Sequence, residues 1–185
     1  SKFGIPLFEM EQVKERVDEL DAKVVGLHAH SGSGILHHDN WKNIATTLGK
    51  LTKMFTEVER IDIGGGLGVG DQPGQSGVNL QALDEALASV KEAYPDISIW
   101  MEPGRYIVAS AGALLTKVTQ LKGKGEVKYI GVNTGMNSLI RPALYGAYHP
   151  IVNLSRMDDK TVDNVNIVGP ICETGDKLGI DRRFP

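Results

Sequence analysis

Residues 60–68, RIDIGGGLG, decide the fold because a short apolar strand runs directly into three consecutive glycines. Glycine lacks a Cβ, so residues 64–66 can adopt positive φ and turn their N–H groups toward one point, which suits a phosphate. A tight turn without a ligand is the alternative, and the loop alone does not distinguish the two. A Rossmann site is disfavoured because Val69 stands where the fingerprint has its last glycine, and no Gly-Lys-Ser/Thr follows to make a P-loop.

On both sides of this stretch, helical and strand patterns alternate as far as about residue 105. Helices are predicted over 7–20, 39–55 and 80–94, and strands over 23–30, 60–63 and 97–102. The predicted apolar stripes of the helices are Phe8, Val13, Val17 and Leu20; Trp41, Ile44, Leu48, Leu51 and Phe55; and Leu80, Leu83, Leu87 and Val90. Asp39 or Asn40 is predicted to cap the second helix, and Asn79 the third. This series is typical of parallel α/β folds, whose chemistry lies at the carboxyl ends of the strands.

Beyond about residue 111 the pattern changes to β-rich runs separated by turns. These runs are ALLTKVTQLKG at 113–123, VKYIGVN at 127–133, HPIVNLS at 149–155 and VDNVNIVG at 162–169. We therefore predict two domains: an α/β domain over 1–110 and a mostly-β domain over 111–185.

The composition bounds the class of protein. Apolar residues make up 41% of the chain, the formal net charge is -3, and there is a single cysteine. These values favour a soluble protein of the reducing cytoplasm, with no membrane span and no nucleic-acid partner. The start at Ser1 and the stop at Pro185 lead us to expect a piece of a longer protein.

Polar motifs follow the first and third strands. In HAHSGSG, His28 and His30 share one strand face, and they could be a metal pair, structural histidines, or a ring lying on an aromatic cofactor. We predict no metal, because no cysteine or carboxylate stands at a ligand spacing beside them. In MEPGRY, Glu102 and Arg105 are either solvated charges or the partners of a protonated ring nitrogen and an anion.

Two further motifs lie in the second half. NSLIRPALYGAYHP offers Arg141 and Tyr145 as a pair for a carboxylate, or as an exposed loop. VGPICETGD holds Cys172, which is either a small buried hydrophobe or a reactive group.

Taken together, the motifs resemble the fold-type III pyridoxal-phosphate decarboxylases. SKFG, HAHSGSG, DIGGGLG, EPGRYIV, GMNSLIRPALYGAYHPI and GPICETGD stand in the order and at the spacing of that family. The resemblance implies an α/β fold: the later strands of a partial (β/α)8 TIM-type barrel, followed by part of a mostly-β C-terminal domain. RPALYGAYHPI with CETGD is most similar to the branch that decarboxylates meso-2,6-diaminopimelate to L-lysine and CO2. Ornithine, arginine and carboxynorspermidine decarboxylases are the alternatives, followed by a non-catalytic pyridoxal-phosphate-binding protein.

The resemblance also implies a cofactor site for pyridoxal 5'-phosphate. His30 would stack on the pyridine ring, and Glu102 would hydrogen-bond its nitrogen. The residues implied to hold the phosphate are Ser33, Gly64, Gly65 and Gly66 with Pro103, Gly104 and Arg105.

For the substrate, the resemblance implies that Arg105, Arg141 and Tyr145 bind the carboxylate that is not lost, and that Glu173 binds the ammonium beside it. Cys172 would donate the proton that replaces CO2. The enzyme would be a homodimer in which Cys172 and Glu173 reach the partner subunit's site.

Two residues of the family pattern are expected outside the chain. The lysine that binds the cofactor covalently would precede residue 1, and Lys2 does not match its motif. A late tyrosine would follow residue 185. We therefore expect the 185-residue piece alone to be inactive.

Overall fold

Three short parallel strands organise the first half of the chain in the computed structural model, which describes residues 2–160 and 163–185. They are β1 (Gly26–His28), β2 (Arg60–Asp62) and β3 (Ser98–Trp100), in the spatial order β1-β2-β3. Leu27 pairs with Ile61, and Ile61 pairs with Ile99. The strands are shorter than the sequence predicted, but they are parallel, as predicted.

Helices fill the connections between these strands. They are α1 (Met10–Glu19), which follows a 3-10 turn (Leu7–Glu9), then α2 (Asp39–Leu51), α3 (Leu80–Ala93) and α4 (Gly104–Val108). Trp41, Ala45 and Leu48 recur at helical spacing on the buried face of α2 and join Ile61 and Ile63 in one core. Among the described residues, no helix is long and apolar enough to cross a membrane.

The predicted apolar stripe of the first helix is partly wrong. Phe8 is 83% exposed and Leu20 is 61% exposed, because Phe8 lies in the 3-10 turn and Leu20 lies just past the end of α1. The residues of α1 that pack against the core are Met10, Val13 and Val17.

One predicted cap is confirmed and one is wrong. Asn79 Oδ1 accepts a hydrogen bond from Ala82 N–H at 3.1 Å, as an N-cap does. Asp39 is instead the first residue of α2. Asn40 is also helical, and its side chain donates to Ser31 Oγ at 2.8 Å, which ties the helix to the Gly-Ser loop after β1.

A four-stranded mixed sheet organises the second half. Its strands are β4 (Val118–Lys124), β5 (Val127–Val132), β6 (Asp163–Val168) and β7 (Lys177–Phe184), in the order β4-β5-β6-β7. The β4–β5 and β6–β7 pairs are antiparallel, and the β5–β6 pair is parallel. Alternate residues of β5 and β6, together with Leu178 and Phe184, form a second core.

Three features of this half differ from the prediction. Residues 149–155 form no strand; Ile151 packs on the sheet core, while Asn153 Oδ1 accepts from Ser155 N–H at 3.2 Å, a local turn that competes with strand pairing. A short helix, α5 (Arg141–Tyr145), occupies the segment expected to be a turn, and β7 was not predicted.

The chain divides into two compact units. The first comprises Ser1–Val69 with Ser76–Ala111, and the second comprises Gly70–Gln75 with Gly112–Pro185. The segment Gly70–Gln75 follows the glycine loop in sequence but groups with the sheet unit, which the sequence did not indicate.

Candidate functional site

A cavity of about 400 Å³ lies in the first unit, among residues that follow the carboxyl ends of the three parallel strands. Most of the residues predicted to bind a cofactor line it: His30, Ser33, Gly65, Gly66, Glu102, Pro103, Gly104 and Arg105. His28, Leu67 and Tyr106 complete the lining. The volume is within the range typical of small-ligand sites.

The glycine loop forms the wall of the cavity by close backbone approach. A Cβ on Gly65 would overlap the carbonyl oxygen of Glu102, and a Cβ on Gly66 would overlap that of Gly32. Gly66 also has a φ of +86°, which disfavours any larger residue. Gly64 is not among the lining residues; its carbonyl accepts from Glu102 N–H at 3.0 Å and holds the two strand ends together.

A buried tryptophan braces this loop from behind. Trp41 is 0% exposed, and its Nε1–H donates to the carbonyl of Gly65 at 3.0 Å. Because the bond satisfies both polar groups inside the core, it fixes the loop's position relative to α2.

His30 is oriented by the same loop. Its Nδ1 accepts a hydrogen bond from Gly65 N–H at 3.2 Å. In the neutral imidazole the proton is therefore on Nε2, and the ring has a defined orientation at the cavity wall.

Glu102 has a partner that the sequence did not assign. His28 Nε2 lies 3.1 Å from Glu102 Oε2. The ligand atoms of His28, Asp62 and Glu102 all lie within 4.8 Å of one another, a distance at which three groups could hold a metal ion. Asp62 Oδ1 also accepts from Gly64 N–H at 2.9 Å. Hydrogen bonds therefore engage all three of these side chains.

Ser33 and Arg105 form a hydrogen-bonded pair in the cavity wall, and Arg105 carries the charge opposite to that of Glu102. Arg105 Nη2 donates to Ser33 Oγ at 2.7 Å, joining the loop after β1 to the start of α4. A guanidinium and a hydroxyl on one wall are suitable partners for a phosphate or carboxylate. The cavity thus combines one carboxylate, two imidazoles and a guanidinium paired with a hydroxyl.

The remaining predicted residues lie in the second unit. Arg141 begins α5; its Nη1 lies 3.0 Å from His149 Nε2, and its Nη2 lies 4.0 Å from Asp71 Oδ2. Tyr145 ends the same helix and is 72% exposed. The segment is therefore a short ordered helix rather than an exposed loop, with its arginine held between two polar neighbours.

Cys172 and Glu173 lie in the loop between β6 and β7. Cys172 is a free, exposed thiol, which contradicts its interpretation as a small buried hydrophobe. Glu173 Oε1 accepts from Gly175 N–H at 3.0 Å, so its carboxylate is partly engaged by its own loop.

Comparison with protein families gives matches along the whole chain. Residues 1–109 match the pyridoxal binding domain of the pyridoxal-dependent decarboxylases, and residues 105–185 match their C-terminal sheet domain. The chain belongs to this decarboxylase family.

Individual members of the decarboxylase family agree with this assignment. A diaminopimelate decarboxylase of Aquifex aeolicus is 39% identical over 189 residues, covering 100% of this chain and 44% of that protein. A crystal structure of an Aquifex aeolicus protein has a TM-score of 0.91 at 38% identity, over 99% of this chain and 46% of the other. A diaminopimelate decarboxylase from M. jannaschii, crystallised with L-lysine, has a TM-score of 0.83 at 31% identity, covering 100% of this chain and 44% of that one.

The chain therefore spans less than half the length of the relatives it matches. The predicted fold class, part of a TIM-type barrel followed by part of a mostly-β domain, is confirmed by these structures.

Two contacts made by these residues were not predicted from the sequence. The alternation of a predicted strand indicated that His28 shares a face with His30. It could not indicate the bond from His28 to Glu102, because these residues are 74 positions apart. The contact of Asp71 with Arg141 had no signal, because nothing in the sequence places these two segments together.

Proposed function

We propose that the full-length protein carrying this chain uses pyridoxal 5'-phosphate to decarboxylate meso-2,6-diaminopimelate, giving L-lysine and CO2. Family membership and the diaminopimelate decarboxylases among the relatives support the proposal. The observation that carries it is that Glu102, His30 and the Ser33–Arg105 pair line a single cavity.

Each of these groups suits a different part of the cofactor. The His30 ring can lie against the pyridine, and Glu102 can hold the proton on the ring nitrogen. Arg105 and Ser33 can bind the phosphate with the backbone of Gly65 and Gly66. The charges would therefore be complementary: the carboxylate would face the cationic ring nitrogen of the cofactor, and the guanidinium would face its anionic phosphate.

When bound, the cofactor supplies an electron sink for the pair left behind as CO2 departs. Glu102 contributes by keeping the ring nitrogen protonated, because a nearby carboxylate favours the charged form of that nitrogen. His28 bonds to Oε2 of Glu102, so Oε1 is available to the ring.

For the substrate, we propose that Arg141, Tyr145 and Arg105 bind the carboxylate that remains, and that Glu173 binds the adjacent ammonium. Diaminopimelate carries both groups at that end, whereas ornithine carries only the ammonium. We further propose a homodimer, in which Cys172 and Glu173 complete the partner subunit's site. A single cysteine in 185 residues supports a reducing compartment, the cytoplasm.

The function is tested by supplying the purified full-length protein and cofactor with meso-diaminopimelate and measuring released CO2 and L-lysine. Ornithine, arginine and carboxynorspermidine are run in parallel. Lysine formation with a clear preference for diaminopimelate supports the proposal. A preference for one of the other three amino acids would reassign the substrate, and cofactor binding without CO2 from any of them would indicate a carrier.

Replacing Ser33 by alanine should weaken cofactor binding by about tenfold, because a hydrogen bond to a charged phosphate is lost. The measurement is the dissociation constant of pyridoxal phosphate, obtained by absorbance titration of the full-length protein. Ser110→Ala, at an exposed position outside the cavity lining, is the control and should bind the cofactor normally. Equal affinities of the two variants would remove Ser33 from the phosphate site.

A further inference from the structure

Asp176 closes the loop that carries Cys172 and Glu173. Within residues 2–160 and 163–185 it is the one charged side chain that the fold buries, with 2% of its surface exposed. It stands directly before Lys177, where β7 begins, and its backbone carbonyl accepts from Gly169 N–H at 3.0 Å across the base of the loop. A buried carboxylate needs hydrogen-bond donors to offset its lost hydration.

The two carboxylate oxygens of Asp176 bind two different segments. Oδ2 accepts from Ile171 N–H at 2.8 Å, immediately before Cys172. Oδ1 accepts from Met136 N–H at 2.6 Å, in the turn that leads to Arg141 and α5. One side chain therefore joins the loop proposed to donate the proton with the segment proposed to bind the substrate carboxylate.

Two glycines leave room for this carboxylate. A Cβ on either Gly135 or Gly169 would overlap the carboxylate of Asp176. Neither glycine has a positive φ, so the backbone conformation does not itself require glycine at these positions. Space for the Asp176 carboxylate is the physical reason for glycine at both.

We propose that Asp176 is a positioning residue that fixes the Cys172–Glu173 loop relative to the segment bearing Arg141. The effect of Asp176 on catalysis rests on the function proposed above, whereas its effect on the position of the loop does not. Only a carboxylate offers an acceptor to both N–H groups. An asparagine there would present its NH2 group to one of them, and that half of the link would be lost.

The test is Asp176→Asn in the full-length protein, with Asp158→Asn, an exposed aspartate of the same unit, as the matched control. We expect kcat with diaminopimelate to fall about tenfold or more and KM to rise, because displacing reacting groups by an ångström is costly. The affinity for pyridoxal phosphate should stay unchanged. The rate of Cys172 alkylation by iodoacetamide, followed by peptide mass spectrometry, should change about threefold or more as the loop loses its anchor.

The rate of Cys172 alkylation distinguishes failure of the proposed function from failure of the positioning role of Asp176. If the wild-type protein decarboxylates none of the substrates, the proposed function fails, and a changed alkylation rate still supports the positioning role. If Asp176→Asn matches the control in alkylation rate, kcat and KM, Asp176 does not position the loop.

Gly135→Ala provides a second variant, since it crowds the same carboxylate and alters no charge. It should reproduce the altered alkylation rate, and it carries the test if Asp176→Asn does not fold. Failure of both variants to fold would overturn the proposal, because Asp176 would then be needed for the folding of the unit rather than for the geometry of one loop.

Discussion

Replacing Glu102 by glutamine in the full-length protein is expected to lower decarboxylation by about a hundredfold or more. Glutamine keeps the shape of the side chain and can still bond to His28, which lies 3.1 Å from Oε2. It removes the negative charge that would hold a proton on the pyridine nitrogen, so the ring would accept the electron pair less readily. The loss is therefore expected in kcat, measured as CO2 release at saturating substrate.

The cofactor's dissociation constant distinguishes this effect from loss of binding. The phosphate contacts proposed for Ser33 and Arg105 do not involve Glu102, so Glu102→Gln should still bind pyridoxal phosphate. Glu92→Gln, at an exposed position on α3, is the control and should keep normal turnover. Near-normal turnover by Glu102→Gln would mean that this carboxylate does not face the ring nitrogen.

The parallel β/α half of the fold could be predicted because its signals are local. Apolar residues recur at helical spacing in α2, and Asn79 precedes α3 as a cap; both patterns hold in the structure. Predictions at the element ends fared worse. Phe8 continues the helical spacing of α1, but the chain before Met10 forms a 3-10 turn and the ring stays exposed.

The β half was harder because strand pairing is not local. Residues 149–155 have the β-branched and apolar character of a strand, but no strand in the described part of the chain pairs with them. The residues of β7 include Arg182 and Arg183, which obscure the alternation of apolar and polar positions, yet β7 pairs with β6 along the sheet edge. Pairing partners, more than propensity, determine which of these segments become strands.

The cavity could be anticipated from motifs that follow successive strands, whereas its internal bonds could not. His30, Ser33, Glu102 and Arg105 were expected to share a site, and they line one cavity. Bonds such as Arg105 to Ser33, 72 residues apart, depend on side-chain geometry that the spacing of motifs does not contain.

Replacing Cys172 by alanine should slow product formation by roughly a hundredfold, the size of effect expected when a general acid is removed. The thiol is exposed in the β6–β7 loop, so its removal leaves no cavity in the core, and the cofactor should remain bound. The measurement is the rate of L-lysine formation beside the affinity for pyridoxal phosphate. Thr174→Ala, in the same exposed loop, is the control. Loss of the cofactor or of folded protein in Cys172→Ala would instead assign the thiol to packing.

Mixing the two inactive variants tests whether Cys172 acts in the partner's site. When Glu102→Gln and Cys172→Ala subunits are dissociated and reassociated at random, half of the dimers combine one of each. If each site takes Glu102 from one subunit and Cys172 from the other, one site in each mixed dimer contains both native residues. Activity should then return to about a quarter of the wild-type value, as expected for a two-fold symmetric dimer. If both residues of a site come from one subunit, every site in the mixture lacks one of them, and the mixture would stay as inactive as its components.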